Sequence, residues 1–89
     1  MEMLSFENAC ELVRARKTDG TLEPSDKCML YVYYKVATQA ETPQSTAPWH
    51  PEKRRYYDAW KTYGPTVGGK ERAKELYVLM VLEQMQKLL

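Results

Sequence analysis

The chain has 89 residues and a mass of 10.4 kDa, which suits one domain with a single core and argues against two domains. Hydrophobic residues make up 44% of the sequence and charged residues 28%, so the composition excludes wholesale disorder and a fibrous repeat. The formal net charge is only +1, and we therefore expect no nucleic-acid partner. We interpret 1–89 as a single domain.

The sequence also argues against a membrane or secreted protein. No apolar run approaches the roughly 18 residues that a membrane-spanning helix needs, so we expect no stable membrane insertion. The N-terminal segment is acidic where a secretory signal is basic and then apolar. Cys10 and Cys28 form no Cys-x-x-Cys motif, and one histidine is too few for a zinc site. These features predict a cytoplasmic protein with reduced thiols and no metal.

Four segments have the hydrophobic spacing of helices, and none shows the two-residue alternation of a strand, which predicts an all-α fold. The first helix is predicted from about Phe6 to Lys17, with Ser5 as its N-cap. Its buried face follows the i, i+3, i+4, i+7 spacing and consists of Phe6, Ala9, Cys10 and Val13. The second helix is predicted from near Ser25 to about Gln39.

A segment with two prolines and no helical periodicity, 39–50, separates the second predicted helix from the third. Such a long connection is often functional, and we expect Trp49 to anchor it. The third helix is predicted to run from Pro51 to a stop at Gly64-Pro65, because proline suits the first helical position. The fourth is predicted from Lys70 to the C-terminus, with Gly69 as its cap, and with a core stripe of Ala73, Leu76, Tyr77, Met80, Val81 and Leu88.

The second predicted helix has an unusual outward face. At about 100° per residue, its core stripe consists of Met29, Leu30, Tyr33, Val36 and Ala37. The opposite face collects Lys27, Cys28, Tyr31, Tyr34, Lys35 and Thr38. Two tyrosines beside a lysine suit a ligand that has a flat ring and a phosphate. The alternative, equally open from this feature alone, is a solvated face whose tyrosines cover neighbouring helices.

Nothing in the sequence indicates catalysis. The stretch 64–71 satisfies Gly-x-x-x-x-Gly-Lys, but Glu71 stands where a P-loop has the serine or threonine that binds magnesium. His50 is the only histidine, and no nucleophile-base arrangement can be named around it. We therefore predict that the chain is not an enzyme.

Motifs along nearly the whole chain, in order, resemble the acyl-CoA-binding protein family. They are Phe6, Ala9 and Val13, then Tyr31-x-x-Tyr34-Lys35-x-Ala37-Thr38, then Tyr57-Asp58-Ala59-Trp60, then Lys70-Glu71-x-Ala73-x-x-x-Tyr77. The resemblance implies an up-down-down-up four-helix bundle with a long loop between its second and third helices. It also implies a monomer without a cofactor that binds one fatty acyl-CoA ester.

The resemblance implies roles for the matching positions, residue by residue. Tyr34 corresponds to the tyrosine that packs against the adenine, and Lys35 to the lysine that pairs with the ribose 3'-phosphate. Tyr31 corresponds to a tyrosine that hydrogen-bonds a phosphate, and Tyr77 to one that lines the site. Arg14 replaces a first-helix lysine near the ligand. Three further positions border the acyl chain or the pantetheine, namely Ala9, Lys27 and Cys28.

The third helix departs from the family pattern. The family has Lys-Trp before Asp-Ala-Trp, whereas this chain has Tyr56-Tyr57, so a phosphate-pairing lysine is missing. Tyr56 occupies its place, and Arg55 lies one residue earlier, about 100° around the helix, from where a long guanidinium could reach back.

Taken as a whole, the resemblance implies an intracellular carrier of medium- to long-chain acyl-CoA. The alternative function is a helical protein-protein interaction module that uses the same tyrosine-rich face.

Overall fold

The computed structural model describes residues 4–15 and 22–87. It contains the four predicted helices, and no strand occurs within those two ranges, as the all-α prediction requires. The helices are α1 (Phe6–Arg14), α2 (Pro24–Thr38), α3 (Pro51–Tyr63) and α4 (Lys70–Lys87), with a short 3₁₀ turn at Gly64–Thr66 after α3.

The helix ends follow local capping chemistry. Ser5 caps α1 as predicted, because its Oγ accepts a hydrogen bond of 3.1 Å from the Asn8 backbone N–H. α2 begins at Pro24, slightly earlier than predicted, since proline at a first helical position lacks only an N–H that has no partner there. The predicted end of α1 at Lys17 lies outside the described residues.

The core forms where α2 packs against α3 and α4, and where α1 packs against α4. One cluster of buried residues lies around α2 and α3 and consists of Val32, Val36, Ala37, Trp60, Val67 and Ala73. The other lies between α1, α2 and α4 and consists of Ala9, Leu30, Tyr77, Val78 and Val81. The first aromatic residue of α1, Phe6, packs against both clusters, so it links them.

The predicted core stripes of α2 and α4 are correct only in part. Val32 is completely buried although it lies outside the predicted stripe, whereas Met29 and Tyr33 are only partly buried. The reason is that α2 is covered by α3 and α4 together, so a wider arc of it is buried than one stripe. In α4, Val78 and Gln84 are buried although they lie outside the predicted stripe. Of the stripe itself, three residues are buried, two are partly buried and one lies outside the described residues, namely Ala73, Tyr77 and Val81, then Leu76 and Met80, then Leu88.

The loop 39–50 is fastened by α3 and by the turn after it, not by Trp49. The Trp49 side chain is 91% exposed, so the prediction that it anchors the loop is wrong. Trp60 donates from Nε1 to the Ala40 carbonyl over 2.9 Å, and the Tyr57 hydroxyl donates to the Ser45 carbonyl over 2.8 Å. Trp60 and Tyr57 both lie on the face of α3 that contacts the loop.

Candidate functional site

A cavity of about 450 Å³ opens between α1, α2, α3 and α4. We call it the first cavity. Its wall is mainly apolar and aromatic, and it is lined by Cys10, Val13, Arg14, Leu22, Lys27, Leu30, Tyr31, Tyr34, Tyr56 and Tyr77. Its size falls within the range of about 300–1,000 Å³ that is usual for small-molecule sites. Two cations, Arg14 and Lys27, are the only charged groups among its described lining residues.

Three aromatic rings pack together on one side of the first cavity. The Phe6 and Tyr34 rings stack with their centroids 6.3 Å apart and their planes 24° from parallel. The Tyr77 ring meets Phe6 edge to face at 5.2 Å and lies 6.3 Å from Tyr34. Such packing restrains the rings, and Tyr34 remains 36% exposed. The Tyr34 face is therefore a fixed aromatic platform at the edge of the cavity.

The floor of the first cavity has a polar pair, Cys10 and Tyr77. Both side chains line the first cavity, and Tyr77 is 4% exposed. Burial, together with the neighbouring Cys10, raises the pKa of the Tyr77 phenol well above its ordinary value. Burial also raises the pKa of the Cys10 thiol, although the nearby Tyr77 hydroxyl acts in the opposite direction. Both groups are therefore neutral at physiological pH and present a weakly polar surface.

A second aromatic group stands where α2 meets α3. The Tyr31 and Tyr56 rings lie 5.2 Å apart, and the buried Trp60 ring lies edge-on to Tyr31 at 6.3 Å. The Lys35 ammonium lies 5.5 Å from the Tyr31 ring and 5.6 Å from the Trp60 ring, a distance typical of cation-π contacts. Burial raises the pKa of the Tyr31 phenol, which is therefore a hydrogen-bond donor at neutral pH.

A second depression, of about 630 Å³, lies on the other side of Tyr31 and Tyr56. We call it the loop-side cavity because the loop 39–50 forms one of its walls. It is lined by Tyr31, Lys35, Gln39, Gln44, Ser45, Thr46, Pro48, Lys53, Tyr56, Tyr57 and Trp60. Hydroxyl, amide and ammonium groups face an aromatic wall in this cavity, and no carboxylate is among its described lining residues.

The structure brings most of the predicted site residues together. Six of them line the first cavity: Arg14, Lys27, Tyr31, Tyr34, Tyr56 and Tyr77. Lys35 lines the loop-side cavity, which shares Tyr31 and Tyr56 with the first. One continuous surface therefore carries these seven residues.

Three predicted site residues line neither cavity. Ala9 is completely buried beneath the floor, next to Cys10 in the chain, and Cys28 is half-buried on α2. Arg55 is exposed. The orientation of α3 therefore does not carry the Arg55 guanidinium to the cavities.

Sequence reasoning did not assign several of the lining residues to a site. Lys53 is the most informative, because no motif in the sequence gave it a role. It shares one face of α3 with Tyr56, Tyr57 and Trp60 at the i, i+3, i+4 and i+7 positions, and this spacing was the available signal. Cys10, Val13 and Leu30 were assigned to the core. All three line the first cavity, where Leu30 is buried and the other two are partly buried.

Neither a metal centre nor a transmembrane helix is found in the described part of the chain. Within residues 4–15 and 22–87, no three His, Cys, Asp or Glu side chains converge as metal ligands would. None of the helices there combines the length and the apolar character that crossing a membrane requires.

The sequence and the fold of this chain are both similar to those of known proteins. The family model described as "Acyl CoA binding protein" matches residues 3–81. The crystal structure of Oryza sativa Acyl-CoA-Binding Protein 2 aligns with a TM-score of 0.78 at 28% identity, covering 93% of this chain and 89% of that one.

The similar curated proteins are much longer than this chain. Acyl-CoA-binding domain-containing protein 5 of Bos taurus is 30% identical over 87 residues, and that of Xenopus tropicalis is 31% identical over 88. Each match covers 94% of this chain but only 15% and 18% of the relative, respectively. The chain thus spans less than a fifth of the length of these relatives.

Proposed function

This chain belongs to the acyl-CoA-binding protein family, and we propose that it is a carrier that reversibly binds medium- to long-chain fatty acyl-CoA esters. The observation that carries the proposal is the pair of adjoining cavities on either side of Tyr31 and Tyr56. Each has two cations and no carboxylate among its described lining residues, and the loop-side cavity adds hydroxyl and amide groups. An acyl-CoA ester combines an apolar tail, a flat ring and phosphates, and the two cavities together offer groups for all three.

The positions of the groups support the roles that the resemblance implies. Tyr34 offers an exposed ring, held by Phe6, for the adenine. Lys35 offers an ammonium for the 3'-phosphate, and the neutral Tyr31 phenol donates a hydrogen bond to a phosphate oxygen. Tyr77, with Cys10 beside it, forms the weakly polar floor of the first cavity. Arg14 and Lys27 attract the ligand's anionic groups at the rim of that cavity.

The electrostatics of the rim favour release as well as binding. Arg14 already pairs with Glu11 over 2.7 Å, and both side chains are largely exposed. An exposed ion pair contributes no more than about 1 kcal/mol, so Arg14 adds attraction without fixing the ligand. Most of the affinity then depends on the tail, because each buried methylene contributes about 0.8 kcal/mol.

Calorimetric titration with hexadecanoyl-CoA and with free CoA tests the proposal. We expect the ester to bind at least about tenfold more tightly, because burial of even two methylenes accounts for that ratio. Equal affinity for the two compounds, or binding of neither, would contradict an acyl-CoA carrier. A chain-length series in the same experiment then measures how much of the tail is covered.

The proposal also includes three expectations from the sequence: the protein is cytoplasmic, it is a monomer, and it has no catalytic activity. An interaction module that used the tyrosine-rich face would bind a partner helix and no CoA ester. Size-exclusion chromatography with and without hexadecanoyl-CoA checks the monomeric state. Unchanged hexadecanoyl-CoA after prolonged incubation with the protein checks the absence of catalysis.

A further inference from the structure

We propose that Lys53 is the second cation for the ligand's phosphate monoester, and that it acts with Lys35 in the loop-side cavity. The proposal rests on the proposed function and deepens it, because it assigns the 3'-phosphate of the nucleotide to that cavity. It also assigns a specificity-determining role to a residue outside the motifs that carry the family resemblance.

The charges around the loop-side cavity favour a dianion. Lys35 and Lys53 both line it, and its described lining contains no aspartate or glutamate. Among the described residues, neither lysine forms an ion pair. Two ammonium groups that face one cavity without a carboxylate repel each other, and a bound anion relieves that repulsion. A phosphate monoester carries close to two negative charges at neutral pH and so matches both lysines.

The neighbouring basic residues of α3 are placed differently. Arg54 is engaged on another face of the helix, where its Nε donates to Asp58 over 3.0 Å. Arg55 is exposed and lines neither cavity. Lys53 is thus the member of the basic run at 53–55 that reaches the same cavity as Lys35.

The cavity walls are held in place before any ligand binds. The Tyr57 hydroxyl binds the Ser45 carbonyl, and Trp60 Nε1 binds the Ala40 carbonyl, so two hydrogen bonds fix the loop against α3. The Trp60 ring also lies against the Lys35 ammonium. A site with fixed walls loses little conformational entropy when a ligand binds, which favours selective recognition of the phosphate.

Tyr56 leaves the boundary between the two cavities without a cation from α3. The Tyr56 ring lies against Tyr31, where it carries no charge to offer a phosphate. Lys53 stands one turn before Tyr56 on the same side of α3 and faces the loop-side cavity instead. The cation from α3 therefore lies in the loop-side cavity and not at the boundary between the two cavities.

Calorimetric titration of the full chain with hexadecanoyl-CoA and hexadecanoyl-dephospho-CoA tests this role. The variants are Lys53→Gln, Arg55→Gln and the matched control Lys61→Gln, an exposed lysine on the same helix that lines neither cavity. We expect Lys53→Gln to weaken binding of the phosphorylated ester by about five- to tenfold. A loss of this size lies between the contribution of an exposed ion pair and that of a hydrogen bond to a charged group. Its affinity for the dephospho ester should change by less than about twofold, and Lys61→Gln should change neither affinity.

Three results would overturn the assignment. They are an equal loss for both esters, a selective loss in Arg55→Gln in place of Lys53→Gln, and wild-type affinity for both esters in Lys53→Gln. Restored discrimination in Lys53→Arg would support a charge effect, and circular dichroism of each variant checks that it folds. Failure of the proposed function looks different, because the wild-type chain would then bind neither ester.

Discussion

The rings of Tyr31 and Tyr56 lie 5.2 Å apart, centroid to centroid, at an angle of 46°, and they form the boundary between the two cavities. The contact joins α2 to α3 at the point where the two cavities meet. Because the tyrosines restrain each other, the shape of both cavities depends on this one pair.

Replacing Tyr56 by alanine should weaken binding of hexadecanoyl-CoA by about two- to tenfold. An aromatic pair contributes about 0.5–1.5 kcal/mol beyond its buried area, and the substitution also removes the boundary between the cavities. Tyr56→Phe keeps the ring and should bind within about twofold of wild type. Calorimetry on both variants decides between the ring and the hydroxyl, since an equal loss in Tyr56→Phe would show that the phenol group is what the ligand needs.

The two cysteines should respond differently to ligand. Cys10 lines the first cavity, whereas Cys28 lines neither cavity, so hexadecanoyl-CoA should slow alkylation of Cys10 alone. The raised pKa of Cys10 lowers its thiolate fraction at a given pH, and the thiolate is the reactive form. Its alkylation should therefore be slower than that of free cysteine at pH 8 and should accelerate as the pH rises further.

Mass spectrometry of N-ethylmaleimide adducts measures these rates on Cys28→Ser, which retains only Cys10, and on Cys10→Ser, which retains only Cys28. Protection of both cysteines by ligand would point to a general tightening of the fold. Protection of Cys28 alone would place the tail on a different face of α2.

Gly64→Ala should destabilise the protein by about 1–3 kcal/mol, the usual cost of overpacking. A Cβ at this position would collide with the Glu41 carbonyl oxygen of the loop and press against the Trp60 ring. The φ of Gly64 is −51°, which alanine adopts readily, so without the collision the substitution would be stabilising. The sign of the change thus reports the close approach of the loop.

Urea unfolding of Gly64→Ala beside Thr62→Ala, a substitution at an exposed position in the last turn of α3, provides the measurement. Stability equal to or above that of wild type in Gly64→Ala would show that the loop does not press against this turn in solution.

The loop should depend on Tyr57 and not on Trp49. Trp49→Ala should change the free energy of unfolding by no more than about 0.5 kcal/mol, because the side chain is almost fully exposed. Tyr57→Phe removes the hydrogen bond to the Ser45 carbonyl and should cost about 0.5–1.5 kcal/mol. Urea unfolding of both variants tests the pair, and a larger loss in Trp49→Ala would restore Trp49 as the anchor.

Local patterns predicted the helices well and the packing less well. The N-cap at Ser5 and the proline at the start of α3 depend on neighbouring residues alone, so the sequence located both. The burial of Val32 depends on two helices that cover α2 from different sides. A single hydrophobic stripe predicts burial on only one side of a helix, so it did not predict this residue. Tyr33 packs against both buried clusters and is nevertheless only partly buried.

The candidate site divides in the same way. The spacing of Tyr31, Tyr34 and Lys35 places them on one face of α2 in any helical structure, so the sequence by itself determined that they share a surface. Only the tertiary structure decided which partners they meet, because Tyr56 and Lys53 arrive from α3 through long-range packing. The rotation of α3 against α2 brings Lys53 to the loop-side cavity and leaves Arg55 outside it, because the two residues lie about 200° apart around the helix.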